Sequence, residues 1–199
     1  MTKLVKKAVI LCSGGMDSVT VLGIAKKKKF ACHTLFVNYG QKTVDRERES
    51  SIIASKRFFS VFKEINIIAL KEITKTSLIH DVGETEVQGR NAILISLAVS
   101  YAQTISATTV FIGLQSQDVP YKDARKEFLD NMNNAMKFAY NVEILAPLLD
   151  KSKIEIIKIA EQLNIDLNLT YSCYFNPDKP CGKCPSCIVR LKAEKNLKN

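Results

Sequence analysis

Ser13, Gly14, Gly15, Met16, Asp17 and Ser18 follow directly on an apolar run at 8–12 (AVILC), an order of residues suited to holding phosphate. A strand that ends in Ser-Gly-Gly and passes into a helix presents free backbone N–H groups to an anion, and the helix N-terminus adds partial positive charge. Gly14 and Gly15 allow close backbone approach, Ser13 and Ser18 add hydroxyl donors, and Cys12 and Met16 belong to the same binding segment. The loop has neither the Gly-Lys-Ser/Thr of a Walker A motif nor the Gly-x-Gly-x-x-Gly of a dinucleotide site. Asp17 would repel phosphate unless Mg²⁺, Arg or Lys intervenes, so a bound Mg²⁺ is expected beside it.

A second group with chemistry stands near the end of the chain. Cys173, Cys181, Cys184 and Cys187 are spaced C-x7-C-x2-C-x2-C, and four thiolates close a tetrahedral structural zinc site. An iron–sulfur cluster or a redox-active C-x-x-C pair are the alternatives for such a set. Pro180, Gly182, Lys183 and Pro185 between the cysteines predict a tight knuckle rather than a helix. Cys12 and Cys32 lie in apolar runs and read as core residues.

The elements that must position these groups are legible from periodicity. Five β-branched runs at 8–12, 32–37, 64–70, 109–113 and 142–148 alternate with helical stretches, which predicts an α/β fold with a doubly wound, parallel five-stranded sheet. Phe128, Met132, Ala135 and Ala139 mark one helix face, and 91–102 (NAILISLAVSYA), opened by Arg90 and Asn91, predicts a helix buried on most sides. Ser152 and Glu155 form a capping-box pattern that starts a fifth helix. An α/β domain at 1–165 is followed by a small zinc-binding C-terminal appendage at 166–199, which the turn-rich 176–180 marks as compact and whose tail begins as a helix after Arg190.

Composition narrows the class further. The chain has 199 residues, 46% hydrophobic, with a formal charge of +9 that favours anionic ligands such as nucleotides or RNA. The four lysines at 26–29 read as a solvated helix end that complements the dipole, not as an RNA contact. No run approaches a membrane span or a signal peptide, and cysteines crowded into one cluster suit a reducing cytoplasm. His33 reads as a core residue and His80 as a loop residue, neither with an assigned role.

The loop resembles the Ser-Gly-Gly-x-Asp-Ser loop of the ATP pyrophosphatases, which cleave ATP between the α and β phosphates and hold the departing pyrophosphate there. With the cysteine cluster, the resemblance sharpens to the QueC family of 7-cyano-7-deazaguanine synthases and runs nearly end to end. Tyr39-Gly40-Gln41 and Arg90-Asn91 match two of its motifs. Tyr121, Asp123, Arg125, Glu127 and Phe128 match a third, and Lys153 and Glu155 a fourth. Cys173-Tyr174 and the closing Cys181, Cys184, Cys187 and Arg190 complete the pattern. Two departures fall on the acceptor side: Asp118-Val119-Pro120-Tyr121 is one residue shorter than the family's Asp-Tyr-Ser-Gly-Tyr, and Lys42-Thr43-Val44 lacks the usual His.

The resemblance implies an adenine-nucleotide alpha hydrolase-like (HUP) fold and an ATP-dependent ligase that turns 7-carboxy-7-deazaguanine and ammonia into the 7-cyano compound. It also implies zinc and Mg²⁺, a homodimer, and no nucleic-acid partner. Within that reading residues 12–18, Tyr39 and Gln41 bind nucleotide. Asp17, Lys153, Arg90, Asp123 and Arg125 are the expected catalytic and substrate-side residues. A different acceptor, as in tRNA thiolation, and a zinc-bearing nucleic-acid-binding module are the rival readings.

Overall fold

A computed structural model describes residues 5–81, 84–115 and 121–197. Its centre is a five-stranded sheet in the order β3-β2-β1-β4-β5, with β1 at Lys7–Leu11, β2 at Ala31–Asn38, β3 at Val61–Asn66, β4 at Thr109–Phe111 and β5 at Glu143–Leu145. Every pairing is parallel; Ile10, for example, stands between Thr34 and Phe111. Parallel strands need crossovers, and these are α1 (Met16–Lys27), α2 (Val44–Arg57), α4 (Arg90–Thr104) and α5 (Lys126–Tyr140). A short α3 (Leu70–Ile73) precedes α4, and α6 (Lys153–Gln162) and α7 (Pro185–Leu197) close the chain.

Strand alternation sorts the side chains into two cores. Ala8, Ile10 and Cys12 face α1, α2, α6 and α7, meeting Leu22, Phe58, Ile156 and Ala193. Val9, Leu11, Leu35 and Val37 point the other way, onto Ile95, Ala98 and Val99 of α4 and Leu129 of α5. Each large aliphatic side chain so enclosed contributes about 1.5–3 kcal/mol. Because α1 and α2 cover one face and α4 the other, the winding reverses beside β1, between it and β4. Open α/β sheets bind ligands outside the strand ends at such a reversal.

The doubly wound parallel sheet expected from the sequence is therefore present, with corrections in detail. The third strand is Val61–Asn66, not 64–70. As an edge strand it leaves many side chains half exposed, so its own apolar signal is weak. The stronger run that follows instead turns over the sheet, where Ile67 and Leu70 pack beside Tyr39. On α5 the inward row is Phe128, Leu129, Met132 and Met136, so Phe128 and Met132 face the core as expected, whereas Ala135 and Ala139 are exposed. Methyl side chains lose little in water, so the larger residues set the helix's rotation. Helix α4 buries Ile95, Ala98, Val99 and Ala102 but exposes Ser96, Ser100 and Gln103, a narrower contact than burial on most sides.

The capping box forms as the sequence requires. Ser152 accepts the Glu155 N–H at 3.3 Å while Glu155 accepts the Ser152 N–H at 2.8 Å, and this opens α6, the sixth helix because α3 was not foreseen. Helix α7 begins at Pro185, inside the cysteine cluster rather than after Arg190. Proline suits a first helical position, and the sulfur of Cys184 accepts the Cys187 N–H, as an N-cap group does. Among the described residues no helix is long and apolar enough to cross a membrane.

Candidate active site and cysteine centre

The loop after β1 is held open by its neighbours. Gly14 adopts φ +77, and a Cβ there would lie 2.5 Å from the Glu47 carbonyl oxygen and 2.8 Å from the Ser51 nitrogen. Its glycine is thus demanded by the close approach of α2 as well as by the left-handed backbone. Gly113, just past β4, is as constrained: its Cβ would meet the Ser18 nitrogen at 2.9 Å. Ser18 donates to the Gly15 carbonyl at 3.0 Å, and the Gly15 N–H reaches Ser13 Oγ at 3.4 Å. The start of α1 therefore meets the cavity with its dipole and hydroxyls in place.

Asp17 is the expected anomaly, and its partner is Lys153. The Lys153 ammonium donates to both carboxylate oxygens, at 2.6 and 2.8 Å, from side chains only 12% and 22% exposed. The two residues are brought together by α1 and the first position of α6. Lysine thus supplies the neutralisation for which Mg²⁺ was invoked, so repulsion at Asp17 alone no longer requires a metal there.

Between the sheet ends and α4 lies a cavity of about 250 Å³. Leu11, Leu35, Val37, Leu94, Ile112 and Leu114 form an apolar slot, which suits a flat base, and the loop at 13–18 and Lys153 form one polar end. Tyr39 and Arg90 form the other: Arg90 donates to the Tyr39 hydroxyl at 3.1 Å and lies 5.7 Å from its ring. Burial pushes the Tyr39 phenol up, partly opposed by the Arg90 charge. Cys12 and Met16 also line the space, and burial raises the Cys12 thiol.

Two further expected site residues have internal partners. The Gln41 amide accepts the Tyr39 N–H at 3.0 Å and donates to Val37 O and to Glu47, so it shapes the Tyr39 turn. Asp123 lines the cavity but accepts the Asn91 backbone N–H at 2.9 Å and its side-chain amide, giving α4 the cap that Gly89 lacks. Arg125 is exposed at the start of α5 and does not line the cavity. Asp118, Val119 and Pro120 lie outside the described residues. His33 meets the Tyr101 hydroxyl and His80 the Lys71 carbonyl, both away from the cavity.

Sequence reasoning missed Glu47 and Glu86, which line the cavity, and Gly113. Glu47 sits in a run of alternating charges at 45–49 that reads as a solvated helix face. Its spacing of four from Thr43, whose hydroxyl it accepts at 2.6 Å, was the available signal.

The four clustered cysteines converge, their sulfurs all within 4.8 Å of one another. Zn–S bonds of about 2.3 Å in a tetrahedron place sulfurs about 3.8 Å apart, so the set fits a metal with small adjustment. Backbone N–H groups of Asn176 and Cys181 point at Cys173, that of Cys184 at Cys181, and that of Cys187 at Cys184. Such donors favour thiolates, and those of Lys183 and Cys184 help to pull the Cys181 thiol down to about 6, whereas burial pushes Cys187 up to about 12. The knuckle also forms part of the cavity wall: the Tyr171 N–H donates to the Gly14 carbonyl at 2.9 Å, and Ser172, Cys173 and Tyr174 face the space.

This geometry agrees with comparisons across known proteins. The family described as "Queuosine biosynthesis protein QueC" matches residues 7–198. The 7-cyano-7-deazaguanine synthase of Pseudoalteromonas atlantica is 39% identical over 96% of this chain and 94% of its own. That of Prochlorococcus marinus is 37% identical over 100% and 98%. Among solved structures, a 4-thiouridine synthetase–RNA complex with bound ATP aligns with a TM-score of 0.62 at 17% identity, covering 97% of this chain and 50% of that one. The NH3-dependent NAD synthetase of Campylobacter jejuni gives 0.56 at 16%, covering 84% and 68%. These distant structures share this chain's fold, and the near relatives decide the family. With its loop, cavity and cysteine centre all inside the matched span, the chain belongs to the QueC family of queuosine biosynthesis.

Proposed function

We propose that this protein is an ATP-dependent carbon–nitrogen ligase that makes 7-cyano-7-deazaguanine from 7-carboxy-7-deazaguanine and ammonia. The observation that carries the reading is the glycine loop without a Walker lysine, lining one cavity with apolar side chains of the strand ends, in a chain whose near relatives bear that name. The substrate carboxylate attacks the α-phosphorus of ATP and pyrophosphate leaves. Ammonia displaces AMP to give the amide, the amide oxygen attacks the α-phosphorus of a second ATP with release of a second pyrophosphate, and loss of AMP and protons leaves the nitrile.

In this reading Ser13, Gly15 and Ser18 hold the departing pyrophosphate at the start of α1, where donors aimed at developing charge favour the transition state. Lys153 offsets the Asp17 carboxylate through their ion pair, and Arg90 with Tyr39 faces the reacting carboxylate. Asp123 positions α4 through Asn91. Mg²⁺ arrives with the ATP phosphates, whose charge it offsets, and zinc takes the four cysteines as a structural ion. The assembly is a homodimer, which sedimentation would test. Cys12, the cysteine nearest the loop, is 2% exposed with a raised thiol, which does not favour the thiolating alternative.

The decisive experiment supplies Mg²⁺, ATP, ammonium and 7-carboxy-7-deazaguanine and follows AMP and nitrile by mass spectrometry. Both are expected. AMP release without nitrile would reject the substrate while keeping the reaction class, and no acceptor-dependent AMP would reject the ligase.

A further inference from the structure

The cavity contains a carboxylate that nucleotide chemistry does not explain. Glu47 projects from α2 into the wall and is tied down at both oxygens, by Thr43 Oγ at 2.6 Å and Gln41 Nε2 at 3.1 Å. An ionised carboxylate offers about four acceptor sites, and two neutral donors leave about half of them for a ligand. Burial pushes its carboxyl up, opposed by the hydrogen bonds from Thr43 and Gln41 and then by the Arg90 charge.

Base edges differ in what they ask of such a group. Adenine presents one amino donor beside an acceptor nitrogen, a pattern that an amide or backbone satisfies. A 2-amino-4-oxopyrimidine ring presents N–H and NH₂ side by side, two donors that a carboxylate accepts as a fork. We infer that Glu47 is a specificity-determining residue that reads the donor–donor edge of a guanine-type acceptor, which the apolar slot formed by Leu35, Val37 and Leu94 receives. Thr43 and Gln41 fix its two oxygens so that the fork is preorganised. This inference rests on the ligase reading for its substrate class, but recognition of the edge is separable from turnover.

The test is calorimetric binding of 7-deazaguanine and 7-deazahypoxanthine, which lack the reacting carboxylate and differ by the 2-amino group. The unaltered protein should prefer 7-deazaguanine by roughly 10- to 100-fold, the range of a bidentate base contact. Glu47→Gln, which replaces one acceptor oxygen by a donor, should abolish that preference and leave ATP affinity within about twofold, since ATP makes no donor–donor fork. Absence of preference in the unaltered protein overturns the inference without any variant. So does a Glu47→Gln protein that keeps the preference, or one that loses ATP binding instead. Loss of preference on Glu86→Gln rather than Glu47→Gln would also overturn it, by assigning the edge to the other carboxylate. Preference for 7-deazaguanine without AMP release from the carboxylated compound would leave Glu47 in place and reject the ligase.

Discussion

Replacing Lys153 by Met should weaken ATP binding more than removal of a positive charge from solvent would, because it strands Asp17. At about 4 Å and an effective dielectric of 20, unit charges interact by about 4 kcal/mol, and desolvation and residual exposure reduce the net coupling to about 1–3 kcal/mol. In the Lys153→Met protein the Asp17 carboxylate, now unpaired beside the loop, repels phosphate by a comparable amount, so ATP affinity falls on the order of 10- to 100-fold. Thermal unfolding should occur roughly 3–8 °C lower. Asp17→Asn alone leaves a free ammonium facing the phosphates and should bind ATP nearly as well as the parent. The double variant Asp17→Asn with Lys153→Met should therefore recover most of the affinity lost in the single lysine variant. Calorimetry of ATP binding on all four proteins completes the cycle. Equal, weak binding by Lys153→Met and the double variant would refute this reasoning and give Lys153 a direct contact with phosphate.

Other consequences follow from the same packing. Native mass measurement should find one zinc per chain, lost on Cys184→Ala together with several degrees of thermal stability, since a structural metal contributes directly to folding. Gly14→Ala should cost about 2–4 kcal/mol in denaturant unfolding, because it adds a clash with α2 to a strained backbone. Asp123→Ala should cost about 1–2 kcal/mol by uncapping α4, and Asp123→Asn, which still accepts the Asn91 N–H, should restore most of it. A pronounced loss of turnover in Asp123→Asn at normal stability would instead make it a substrate contact.

What could be read from the sequence was whatever is contiguous. The loop at 13–18, the Ser152–Glu155 capping box and the cysteine spacing each carry their meaning within a few residues. Glu47 and Gly113 do not: one is hidden in a charged helix run, and the other matters only because a Cβ there would lie 2.9 Å from the Ser18 nitrogen in the first turn of α1. The edge strand β3 was misplaced because half-exposed residues give a weak pattern and the more apolar 65–70 outbids them. The reach of Asp123 to Asn91 and of Lys153 to Asp17 joins separate motifs, and only the topology reveals it. Arg125 shows the converse, a motif residue that the fold leaves outside the cavity.

The hydrogen bond from Tyr171 to Gly14 and the ion pair across 136 residues of chain have a bearing on how the protein is made. Contacts of such long sequence separation form late, because loop-closure entropy must be met before they return any energy. A nascent chain that has exposed the first strand and its glycine loop holds a motif without a pocket, and the loop acquires its partner charge and its far wall only when the last third emerges. The phosphate affinity proposed for the loop is therefore a property of the finished fold, and an N-terminal fragment carrying the whole motif should behave in the cell as an unfolded segment rather than as a small nucleotide-binding unit.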